Sequence, residues 1–197
     1  MKRINKSHLI SQEQGKKSIL ILYASFHGST AQIAEFMGEK LNIQGMSSSV
    51  KSINERIDFS LYNGIIMGAP IHRGKWMGDA IDFVNKHRLE FDHLPFACFY
   101  TCIVKAKHPP SKESLKVIES YKATLIELFP SLPPSCISSF AGMLEYDKCS
   151  FFVKLVLWLI LRNKGIGEGD YRDWRAIESW LSETKKYIES KNNEENV

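Results

Sequence analysis

The sequence has no C-x-x-C pair, no histidine cluster at zinc-binding spacing, and no apolar run of the about 20 residues that span a bilayer. Its four cysteines, Cys98, Cys102, Cys136 and Cys149, are too few and too scattered for a disulfide framework. Reduced, mostly buried thiols fit a cytoplasmic protein. A strong charge of one sign is also missing: 26 Lys and Arg against 22 Asp and Glu leave +4. So mild a balance does not call for nucleic acid. It allows only weak attraction to acidic membrane surfaces or anionic substrates. There is no internal repeat and no low-complexity tract. Residues 1–17 are polar and basic, lack the apolar core of a signal peptide, and read as a flexible leader. The closing KNNEENV, residues 191–197, reads as a disordered tail. Between them, residues 18–190 suit one domain with a full core, since 44% of the chain is apolar.

What is present alternates. SILILYA, residues 18–24, reads as a buried strand, and a helix from about residue 30 to 41 follows it, with Ile33, Ala34, Met37 and Leu41 on one face. A weaker strand is expected at 48–53, a third at GIIMGAPI (64–71), a fourth at PFACFYTCI (95–103) and a fifth at CISSFAGML (136–144). Helices are expected after strand three, with Met77, Ile81 and Val84 at helical spacing, and after strand four, where Ser111 is the predicted cap. A last helix begins near 170–173. Strands without two-residue alternation, separated by helices, imply a doubly wound parallel sheet covered on both faces. Such sheets bind ligands beyond the carboxyl ends of their strands, so the loops at 25–30, 70–77 and 103–110 should share one end.

The first of these loops is SFHGST: Ser25, Phe26, His27, Gly28, Ser29 and Thr30. Backbone N–H groups at a helix start, with hydroxyls beside them, can hold an anion, and glycine permits close approach. Equally, Ser29 or Thr30 could simply cap the helix. No Lys or Arg lies in the loop, so a phosphate there would rest on neutral donors. A dinucleotide fingerprint is excluded, because Gly28 stands alone where G-x-G-x-x-G is needed. GAPIHRGK, residues 68–75, imitates a nucleotide-binding loop but has the wrong glycine spacing and ends on Trp76 rather than Ser or Thr. In PIHRGKWM, an aromatic at a strand end could flank a planar ring, or pack on the helix that follows.

The pattern strand, S-x-x-G-x-T, helix, with further loops after strands three and four, resembles flavodoxin. More narrowly, the chain resembles the bacterial menaquinone-dependent protoporphyrinogen oxidase family. The pieces are LILYASFHGSTAQIA, IIMGAPIHRGKWMGDAIDFV, FYTCIVKAKHPP, FAGMLEYDKCSFFVKLVLWLILRNKG and YRDWRAIESW. The resemblance implies a flavodoxin-like, five-stranded sheet in the order 2-1-3-4-5, with an extra apolar helical segment before the last helix. It implies FMN, its phosphate held by residues 25–30. The ring would lie between Pro70, Ile71, His72 and Trp76 on one side and Thr101, Cys102 and Ile103 on the other. Arg73, Lys75, Lys105 and Lys107 become candidates to meet substrate propionates.

The implied function is an FMN-dependent oxidoreductase of heme biosynthesis, a quinone-linked protoporphyrinogen IX dehydrogenase. Electrons would pass from the tetrapyrrole to FMN and on to a membrane quinone. No catalytic acid–base pair, nucleophile or metal site is expected. FFVKLVLWLIL, residues 151–161, carries one charge, Lys154, and is too short to span a bilayer. Phe151, Phe152, Leu155, Leu157, Trp158 and Leu161 would then dock on the inner face of the cell membrane or gather the quinone; burial against the sheet or in a homo-oligomer interface stays open. The alternative reading is a flavodoxin-like electron carrier serving a protein partner.

Overall fold

Ile19, Leu20, Ile21 and Leu22 are at most 1% exposed, which is possible only for a strand covered on both faces. In the computed structural model, which describes residues 18–25, 28–106, 109–144 and 166–194, that strand is β1, Ser18–Tyr23. The leader, Phe26, His27, Lys107 and the apolar segment 151–161 lie outside the described residues. Helix α1, Ser29–Ile43, follows β1 and buries Ile33, Ala34, Met37 and Leu41 as its spacing predicts. The remaining parallel strands are β2 (Ser48–Ser52), β3 (Tyr62–His72), β4 (Phe96–Thr101) and β5 (Ile137–Phe140). They lie in the order β2-β1-β3-β4-β5, a doubly wound α/β sheet of flavodoxin-like topology.

The outer helices are α2 (Gly78–Lys86), α3 (Arg88–His93), α4 (Lys112–Leu128) and α5 (Trp174–Glu194). Ser111 caps α4 by accepting a hydrogen bond from the Ser114 N–H at 3.2 Å. Asp173 does the same for α5, accepting from Arg175 and Ala176. Helix α5 runs to Glu194, four residues into the stretch expected to be a disordered tail, and an ion pair between Lys191 and Glu194 bridges its last turn at 2.7 Å.

Neighbouring residues on the central strands face opposite layers. Phe99 points to α5, where it meets Trp180, and Tyr100 donates to the Ile118 carbonyl of α4 at 2.8 Å. Strand β5 is shorter than the expected 136–144. The chain breaks after Phe140, and Met143–Leu144 pair antiparallel with Gly169–Asp170 instead. This short antiparallel ladder lies beyond the end of β5.

Candidate functional site

The register brings the three loops together. Tyr23 pairs with Gly68, and the Ala24 N–H donates to the Gly68 carbonyl at 2.9 Å; Pro70 pairs with Thr101. Loops 25–30, 70–76 and 102–106 therefore leave one end of the sheet, beside the switch between β1 and β3.

At α1 the residue before the helix is Gly28, left-handed at φ 87°, and its N–H donates to Ser25 Oγ at 3.0 Å. Among the described residues no side chain caps α1, and its first turn has no acid. Ser29 and Thr30 are inside the helix rather than at its cap. The first N–H groups of α1 thus have no side-chain cap among the described residues, and the positive end of the helix dipole lies behind them. A Cβ built on Gly28 would meet nothing within 4 Å. Backbone donors of this kind at a helix start are chemically suited to an anion such as a phosphate.

The hydroxyls of the loop are already used. Ser29 Oγ accepts from the Met143 N–H at 2.9 Å, which ties α1 to the ladder after β5. Thr30 Oγ1 lies 2.9 Å from Thr101 Oγ1, both side chains buried, which ties α1 to β4. Thr30→Val should orphan the Thr101 hydroxyl and cost about 1–3 kcal/mol, while Thr30→Val/Thr101→Val should recover most of it. A double-mutant cycle by urea unfolding checks this; purely additive losses would show that the pair does not interact.

At the second loop, β3 turns back through His72, Arg73, Gly74 and Lys75, with Arg73 and Gly74 both at positive φ, as a two-residue hairpin requires. Arg73 and Lys75 stand exposed at its tip. Exposure grows along β3 from buried Ala69, through half-buried Pro70 and Ile71, to exposed His72. Trp76, read as a flank for a planar ring, is 3% exposed and meets Phe129 edge-on at 5.9 Å. Its Nε1 finds no acceptor among the described residues. In the third loop Cys102 is buried, and burial raises its thiol pKa, so the thiol is protonated. Ile103 and Lys105 are half-buried on the short helical turn Ile103–Ala106.

Sequence reasoning passed over Arg172. Its side chain is 7% exposed and holds Asp170 with Nε and Nη2 at 2.7 and 2.6 Å. Nη1 reaches Gln32 in the first turn of α1, and the guanidinium lies 4.5 Å from the Trp174 ring. Arg172 therefore fastens the ladder against the helix whose start forms the anion slot. Its hydrogen bonds hold the Asp170 carboxyl below its ordinary pKa, so the pair's stabilisation is present at neutral pH and is lost as pH falls through that lowered value. The one hint in the sequence is local: Arg172 two residues from both Asp170 and Trp174.

A profile of the flavodoxin domain matches residues 20–171. Protoporphyrinogen IX dehydrogenase (quinone) of Escherichia coli K12 is 26% identical over 172 residues, covering 83% of this chain and 92% of that protein. The protein of the same name from Leishmania major is 25% identical over 173 residues, covering 83% and 73%. Among solved structures, rubredoxin oxygen:oxidoreductase from Desulfovibrio gigas superposes with a TM-score of 0.53 at 11% identity. The match takes in 92% of this chain but spans only 38% of that one, and it speaks for the fold alone.

Proposed function

The chain belongs to the flavodoxin domain family, and from that premise we propose that it is an FMN-dependent oxidoreductase that takes electrons from a protoporphyrinogen-type tetrapyrrole and gives them to a lipophilic quinone. The observation that carries the cofactor is the start of α1: without a side-chain cap among the described residues, free of acid in its first turn, and preceded by left-handed Gly28. The donor and acceptor are supported by the named activity of relatives covered over most of their length.

Each part of the site has a task in this reading. Ser25, Gly28 and the backbone N–H groups of Ser29 and Thr30 in the first turn of α1 hold the phosphate through neutral donors, the Ser29 and Thr30 hydroxyls bracing the loop, joined by Phe26 and His27. Pro70, Ile71 and His72 cover one face of the ring, with Trp76 behind them. Thr101, Cys102 and Ile103 cover the other. Bound FMN supplies the two-electron chemistry, two electrons and two protons leaving the donor and arriving on the quinone as quinol in each cycle. The protein supplies orientation and exclusion of water, with no side chain as nucleophile. Arg73, Lys75, Lys105 and Lys107 are the cations available to donor carboxylates.

No described helix is long and apolar enough to cross a membrane. In this reading residues 151–161 bring the protein to the membrane surface, where the quinone resides.

The test has two steps. Apo-protein titrated with FMN and FAD should bind FMN about tenfold more tightly or better, because the loop offers one anion site and lacks the glycine pattern of a pyrophosphate-binding turn. Anaerobic protoporphyrinogen should then bleach the flavin, and a lipophilic quinone in liposomes should restore its colour. Equal FAD affinity would count against the cofactor assignment, and a flavin the tetrapyrrole cannot bleach would reject the donor.

A further inference from the structure

A second cleft, of about 240 Å³, opens between α4 and the outer strand β5, next to the third loop. Its charged and polar lining includes Lys105, Glu119, Lys122 and Ser139, with Ser138 bordering it by its backbone, and its apolar wall includes Leu115 and Pro110. Lys105 and Lys122 come from different elements, the turn Ile103–Ala106 and helix α4, yet line the same space. Both are half-buried, and among the described residues neither makes an ion pair. Half-burial withdraws part of an ammonium's hydration, and a carboxylate partner normally compensates. Glu119 also borders the cleft but is exposed, where water screens it. Two under-neutralised cations and the Ser139 side chain, which shares Tyr100's face of the sheet, beside an apolar wall make a receptor for an amphipathic carboxylate.

Size limits what enters. Pockets that enclose a drug-sized ligand run to about 300–1,000 Å³, so this cleft takes one arm of a large molecule and not its body. The arm has a direction. Lys105 stands two residues from Ile103, on the same short turn, and Ile103 belongs to the proposed ring site. A ligand anchored by its carboxylate at Lys105 and Lys122 would lay its apolar body toward that loop.

We propose that the cleft between α4 and β5 is the anion subsite of the electron donor, with Lys105 and Lys122 receiving a carboxylate arm of the tetrapyrrole. The inference rests on the donor assignment made above. Lys122 is the specific addition, since nothing in its sequence surroundings separates it from any other helix-surface lysine.

The experiment uses FMN-loaded full-length protein and an unreactive dicarboxylate porphyrin, mesoporphyrin, beside its dimethyl ester. Wild-type protein should bind the diacid about tenfold more tightly than the ester, as charge-assisted hydrogen bonds of this kind allow. Lys105→Met/Lys122→Met should erase that preference, raise KM for the reduced donor about tenfold, and leave kcat and flavin content unchanged. Lys122→Met alone should show part of the effect. A preference for the diacid that survives in the double variant, or one absent from wild type, overturns the subsite. If wild-type protein binds the diacid through these lysines yet does not oxidise the tetrapyrrole, the donor assignment fails and the anion site stands.

Discussion

Gly68→Val should leave almost no folded protein, and Gly68→Ala should lower stability by about 3 kcal/mol, the upper part of the usual range for overpacking a core. Gly68 sits in the middle of β3, paired with Tyr23 on one side and Phe99 on the other. A Cβ there would come within 2.0 Å of Phe99 Cζ and within 2.5 Å of two further ring atoms. The ring has nowhere to retreat. Phe140 lies 5.7 Å and Trp180 6.1 Å from it, centroid to centroid, and the side chain is fully buried. Since a domain of this size holds only about 5–15 kcal/mol in reserve, the alanine form should fold with a clearly lower urea midpoint and the valine form should aggregate. Phe99→Leu placed beside Gly68→Ala should return part of the loss, because a smaller side chain frees the space. An unchanged midpoint for Gly68→Ala would show that the sheet and α5 are not packed this closely. The same change should also loosen the first loop, whose Ala24 N–H is held by the Gly68 carbonyl.

Local pattern carries most of the fold. The apolar runs of β1, β3 and β4, and the spacing of Ile33, Ala34, Met37 and Leu41, follow from burial alone, and the structure has them where the sequence places them. Ser111 is legible because a cap is a contact within three residues. Long-range contacts are not legible. Thr30 meets Thr101 across 71 positions, Ser29 meets Met143 across 114, and Gln32 meets Arg172 across 140. No periodicity encodes such pairs; the strand order creates them. The end of β5 departs from expectation for a related reason. CISSFAGML reads as one strand, but beyond Phe140 the chain packs closely on the start of α1 at Gly142, the Met143 N–H donates to Ser29 Oγ, and Met143–Leu144 pair with Gly169–Asp170, contacts that lie far apart in sequence. The short helix α3 leaves no signal either, because Arg88–His93 is too brief to show a period.

Gly28→Val should weaken FMN binding about tenfold or more while leaving the fold intact, an effect of about 1.4 kcal/mol or more on binding. Gly28 and Gly68 are glycine for opposite reasons. Gly68 lacks space for a side chain. Gly28 has space, since a methyl group placed there would meet nothing within 4 Å, but it holds a left-handed φ of 87°. That conformation costs an L-residue roughly 1–2 kcal/mol, and a β-branched one more. The isolated loop can relax to avoid the strain, so unfolding midpoints should move little. FMN cannot bind the relaxed loop, because the phosphate needs the first N–H groups of α1 in line, and the strain therefore appears as lost affinity. The open space adds to this, since a valine side chain would stand where the phosphate approaches. Gly28→Asn separates the two causes: asparagine tolerates the left-handed region, so it should keep more affinity than valine if the backbone angle dominates and no more if crowding does. Flavin content on purification, FMN titration and urea unfolding of the three proteins decide the matter. If Gly28→Val carries a normal complement of FMN, SFHGST is a turn and not a phosphate site, and the cofactor assignment goes with it.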